Sequence, residues 1–107
     1  MTITNSPRKK RTKQEIVAAI LITATDGASK TRIMYRSLLS FSQIQKYLSY
    51  VLAAKLLDLD SQSRRYITTN RGLDYLKHFQ ELQSVEGNIF EKRRMLSEIL
   101  QDGDLKC

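Results

Sequence analysis

Ser42, Gln45, Lys46, Ser49 and Tyr50 share one side of the stretch SLLSFSQIQKYLSYVLAAKLL, Ser37 to Leu57, whose apolar residues recur at helical spacing. A row of hydroxyl, amide and ammonium groups can donate and accept hydrogen bonds at base edges and phosphates, where bulky apolar side chains would obstruct approach. Catalytic chemistry is hard to build from the rest. There is one His and one Cys, no glycine-rich phosphate loop and no clustered carboxylate pair, so no enzyme activity, cofactor or small-molecule substrate is expected. His78, beside Phe79, has no second His or Cys nearby, which argues against a metal site.

The charge supports an anionic partner. The net charge of +7 is unevenly spread: residues 1–70 hold 12 Lys or Arg against 4 Asp or Glu, whereas residues 71–107 hold 6 against 7. A basic module joined to a nearly neutral one suggests nucleic acid for the first and another task for the second. At 107 residues, 41% hydrophobic, the chain suits one domain with a modest core plus an appended element. Four Gly and one Pro favour helices. The lone cysteine, Cys107, rules out an internal disulfide and fits a reducing cytoplasmic setting, at the nucleoid if DNA is bound. The longest apolar run, Ile16 to Ile22, is too short to span a bilayer, and no signal peptide is evident, so no membrane association is expected.

The elements that position these residues can be read in order. Residues 1–11, MTITNSPRKKR, lack an apolar period and are expected to form a flexible basic tail, with Arg8, Lys9, Lys10 and Arg11 against phosphate backbone. Thr12 and Glu15 form a capping box for a first helix to about Thr25, with Ile16, Ala19, Ile20 and Thr23 on one face and Asp26-Gly27 as its stop. Ser29 caps a second short helix to about Ser37, turning Ile33 and Met34 inward. Ser40 and Gln43 box a third, to about Ala54, whose inner face is Phe41, Ile44, Tyr47, Leu48, Val51 and Leu52. Tyr35 and Tyr47 are expected in the core, while Tyr50 either packs under the following hairpin or meets phosphate.

LLDLD (56–60) and RYITT (65–69), separated by a polar link, read as a two-stranded hairpin. From residue 71 to about 101 a long helix is expected, followed by a tail at 102–107. Leu82, Val85, Ile89, Lys92, Leu96 and Ile99 keep a seven-residue period that asks for a partner helix, interrupted by Lys92 and weakened at Gly87. The alternative is a break near Gly87 that folds the helix back.

Helix, helix, helix, hairpin, helix is the order of a winged helix-turn-helix, expected over residues 12–70, in which the third helix enters the major groove and the hairpin, 57–68, is the wing. The fold class is mainly α with a small β-hairpin. Thr31 and Arg32, with Lys30, stand early in the second helix, where a helix N-terminus can meet phosphate. Arg64 and Arg65 stand at the wing, where guanidinium groups can meet phosphates or a minor groove. The candidate contacts are thus Arg8 to Arg11, Lys30, Thr31, Arg32, Ser42, Gln43, Gln45, Lys46, Ser49, Tyr50, Arg64 and Arg65.

KTRIMYRSLLSFSQIQKYLSYVLAAKLLDL and YITTNRGLDYLKHF resemble the archaeal 10a-type DNA-binding proteins and related archaeal winged-helix regulators, over about Thr12 to Phe79. The resemblance implies a dimer that binds double-stranded DNA, with the long C-terminal helices paired as an antiparallel coiled coil through Leu82, Val85, Ile89, Leu96 and Ile99. It also carries a basic DNA contact onto Lys46, and polar or basic positions onto Gln45 and Ser49. Lys55 stands where the family has Gly. A left-handed Lys costs roughly 1 kcal/mol, which leaves that turn open to a different form. Regulation of transcription and chromosome organisation both fit, and the alternative from another class is a protein-interaction module without DNA binding.

Overall fold

Three hydroxyl caps start three short helices. In the computed structural model, which describes residues 11–102, Thr12 and Glu15 exchange both capping-box hydrogen bonds ahead of α1 (Lys13–Thr23). The Ser29 hydroxyl accepts from the Arg32 N–H ahead of α2 (Lys30–Arg36). Ser40 and Gln43 repeat the reciprocal pair ahead of α3 (Phe41–Ala53). Each cap satisfies N–H groups that a helix start leaves without partners. The hairpin follows as β1 (Leu57–Asp60) and β2 (Arg65–Thr68), then α4 (Asn70–Asp102). The fold is mainly α with a small β-hairpin, a winged helix carrying a long C-terminal helix.

α1 is buried on more sides than its expected face. Ile16, Val17, Ala18, Ile20 and Leu21 are all buried, while Ala19 and Thr23 are only half-buried. Ile16, Val17, Ile20 and Leu21 join Ile33, Ile44, Leu48, Val51 and Leu57 in one core cluster, while Ile22, at the end of the run IVAAILI, is exposed. The helix ends near the expected Thr25, and Gly27, at φ 94°, takes the left-handed turn beyond it. Two expectations for aromatic residues fail: Tyr35 is 71% exposed and Phe41 is 66% exposed. Tyr47 is half-buried against the core.

β1 and β2 pair antiparallel from Leu57 with Thr68 to Asp60 with Arg65. A further rung, absent from the sequence reading, joins the α1–α2 loop to the hairpin: the Ala28 N–H donates to Tyr66 O at 2.9 Å and the Tyr66 N–H to Ala28 O at 2.8 Å. The buried Thr68 hydroxyl donates to Leu21 O at 2.7 Å. Together these bonds fix the base of the wing to α1.

The turn after α3 keeps its left-handed form, with Lys55 at φ 66°. Its carbonyl accepts from the Thr69 hydroxyl at 2.7 Å, and that hydroxyl in turn accepts from the Gly72 N–H at 3.0 Å, capping α4. The Arg71 Nε donates to Ala54 O at 3.0 Å. These bonds tie the end of α3 to the start of α4 and offset the strain at Lys55. Gly72 is required by proximity: a Cβ there would collide with Leu56 O and lie 2.6 Å from Thr68 Cγ2. Gly72→Ala is expected to destabilise the protein by about 1–3 kcal/mol through overpacking. Gly87→Ala, with nothing within 4 Å of the added methyl, should hold or raise the thermal midpoint measured by circular dichroism.

By its contacts the chain divides into two units, the first ending at Leu76 and the second beginning at Lys77. In the second unit α4 continues unbroken through Gly87, so the fold-back alternative does not hold. Arg94 pairs with Glu91 and with Glu98, the latter at 3.1 Å, and His78 Nδ1 lies 3.4 Å from Glu81 Oε1. Leu82, Val85, Ile89, Leu96 and Ile99 are exposed, as are Phe90 and Leu100. No described helix is long and apolar enough to cross a membrane.

Candidate nucleic-acid interface

α3 separates its residues by side. Ile44, Leu48 and Val51 are buried, while Ser42, Gln45, Lys46, Ser49 and Tyr50 are exposed. The apolar side anchors the helix, so the opposite row of hydroxyl, amide and ammonium groups is held outward on a rigid element. Gln43 is already used: its side-chain oxygen accepts from the Ser40 N–H at 2.9 Å. The Ser40 and Ser42 hydroxyls lie 3.4 Å apart.

α2 supplies a cation to the same surface. Lys30 Nζ donates to Gln45 Oε1 at 3.1 Å and stands 5.2 Å from the centroid of the Phe41 ring. Thr31 and Arg32 are exposed in the first turn of α2. Lys13, which sequence reasoning missed, supplies a cation from α1. Its ammonium sits 4.1 Å from the Tyr50 ring centroid, and Lys13, Lys46, Tyr47 and Tyr50 line a hollow of about 280 Å³. Tyr50 therefore meets Lys13 with its ring face, a cation–π contact. Tyr75 lies close by: its hydroxyl donates to Gln14 O at 2.9 Å. Burial pushes the Tyr75 hydroxyl above its usual pKa, and the neighbouring Tyr50 adds to the shift. No local sequence signal marks Lys13, because it lies 37 positions from Tyr50.

Arg11 departs from its expected role in a flexible tail. Its Nη2 donates to Ser37 O at 2.8 Å and to Leu38 O at 3.2 Å, across the turn between α2 and α3. Leu38, at φ 56°, ends that turn in a left-handed conformation, so Arg11 braces a strained segment. Arg8, Lys9 and Lys10, with the remainder of the N-terminal tail and residues 103–107, lie outside the described residues.

The wing residues also divide. Asp60 organises the tip: its carboxylate accepts from the Gln62 N–H at 3.2 Å and from the Ser63 hydroxyl at 2.9 Å. Arg64 follows at φ 59°, exposed. Arg65 instead reaches back, its Nη1 donating to Gly27 O at 3.4 Å. Both guanidinium groups remain exposed at the wing, Arg65 with one bond to the α1–α2 loop. Among the described residues no group of three or more His, Cys, Asp or Glu could hold a metal ion.

The family profile described as winged helix-turn-helix matches residues 10–87. Among solved structures, the chain is similar to that of Sso10a-2, a DNA-binding protein from Sulfolobus solfataricus. The identity is 25% and the TM-score 0.75, over 84% of this chain and 97% of that one. The two agree with the resemblance read from the sequence. No curated protein matches significantly.

Proposed function

The chain belongs to the winged helix-turn-helix family, and from that premise we propose that it binds double-stranded DNA as a homodimer, in transcription regulation or chromosome organisation at the nucleoid. One observation carries the reading: α3 buries one side and presents Ser42, Gln45, Lys46 and Ser49 outward, within residues 1–70, which hold the basic excess. The similarity to a DNA-binding protein supports it. α3 is the recognition helix, with Ser42, Gln45, Lys46 and Ser49 toward base edges and Lys13, Lys30, Thr31, Arg32 and Arg64 toward phosphates. Arg8, Lys9 and Lys10 extend the phosphate contacts. The copies pair through Leu82, Val85, Ile89, Leu96 and Ile99 of antiparallel α4 helices, which would cover the apolar row that a single chain leaves exposed.

The test is a titration of random-sequence duplex at two salt concentrations. Cations on phosphates release counterions, so affinity should fall steeply with salt. Lys13→Gln should lower affinity equally for all sequences and reduce the slope of log K against log salt by about 1 per protomer. Absence of binding even at low salt would reject the reading in favour of a protein-interaction module.

A further inference from the structure

Phe41 is the first residue of α3 and counts toward its apolar pattern, yet the residue is 66% exposed. The ring meets a cation there. The Lys30 ammonium stands 5.2 Å from its centroid, and the same ammonium binds Gln45 Oε1 at 3.1 Å. Gln45 lies one turn further along α3, at the i+4 spacing that puts two side chains on one side of a helix. Phe41, Lys30 and Gln45 therefore form one exposed cluster bridging α2 and α3.

A phenyl ring cannot hydrogen-bond a phosphate, so its place at the tip of a recognition helix calls for an apolar group in the groove. The N-terminal residues of such a helix meet base edges in the major groove. The apolar group displayed there is the C5 methyl of thymine. Gln45 beside it suits the paired adenine, since a glutamine amide complements the N6 and N7 edge. Resting on the DNA-binding reading above, we propose that Phe41 is a specificity-determining residue that packs on a thymine methyl and biases the protein toward A·T pairs.

The experiment compares two A·T-rich duplexes of one sequence, one containing thymine and the other deoxyuracil throughout, which removes only the methyl groups. Wild-type protein is expected to bind the thymine duplex about fourfold more tightly for each methyl contacted, the value of one buried CH₂. Phe41→Ser should abolish the preference while still binding both duplexes, and Phe41→Leu should retain part of it. Circular dichroism of both variants checks the fold. Equal wild-type binding to the two duplexes would overturn the proposal and leave DNA binding standing. A preference that survives in Phe41→Ser would also overturn it, since the methyl groups would then be sensed by something other than Phe41. Binding of neither duplex would overturn this proposal together with the DNA-binding reading.

Discussion

Replacing Lys46 by glutamate is expected to weaken duplex binding by about 10²-fold while leaving the oligomeric mass and thermal midpoint unchanged. Lys46 lies near the middle of the exposed side of α3 and lines the hollow shared with Lys13 and Tyr50. A charged hydrogen bond contributes about 1.5–3 kcal/mol, and each 1.4 kcal/mol is a factor of ten in affinity. Glutamate removes one such bond per protomer and adds repulsion, so two copies lose at least about two decades together. The side chain is exposed, so little packing is lost and stability should hold. Fluorescence anisotropy with a labelled duplex, alongside light scattering, measures both properties. Undiminished affinity would show that α3 is not the contact surface.

The second large effect concerns α4. Changing Ile89 and Leu96 together to aspartate should halve the mass in solution and weaken DNA binding by about 10²-fold or more. Both residues are exposed in the single chain, at 48% and 63%, and both sit in the seven-residue apolar row. Two carboxylates in a paired seam would face desolvation without partners. The loss in affinity follows from linkage, since a second binding module tethered to the first gains about 10²–10⁴ in effective strength. The first unit ends at Leu76, so its core, centred on Ile20, Leu21, Ile33 and Ile44, should be untouched. Its melting transition should survive. An unchanged mass would place the interface elsewhere.

Local signals carried far in this sequence. Thr12 with Glu15, Ser29, and Ser40 with Gln43 announce three helix starts, and all three caps form, because capping is decided within four residues. The hairpin and the long helix were legible for the same reason: period and turn composition are local. Facing was harder. α2 has only seven residues, too few for a period to say which side Tyr35 takes. Phe41, the first residue of α3, is exposed beside Lys30 of α2, a neighbour that the period of α3 alone does not reveal. What depended on distant backbone was invisible. The Arg11 bonds to Ser37 O and Leu38 O, the Ala28–Tyr66 rung and the Lys13–Tyr50 contact join residues that no spacing rule connects. The Lys55 turn shows the same limit: the carbonyl bond from Thr69 that makes a left-handed lysine tolerable comes from 14 residues further along.

The most direct test of DNA recognition through α3 is an amide chemical-shift titration of the isotope-labelled protein with a short duplex. The expected result is that the largest shifts fall on Ser42, Gln45, Lys46 and Ser49, with smaller ones at Lys13, Lys30 and Arg64, while residues 77–102 of α4 stay in place. Shifts confined to α4, or an α3 that does not respond while duplex binds, would contradict it.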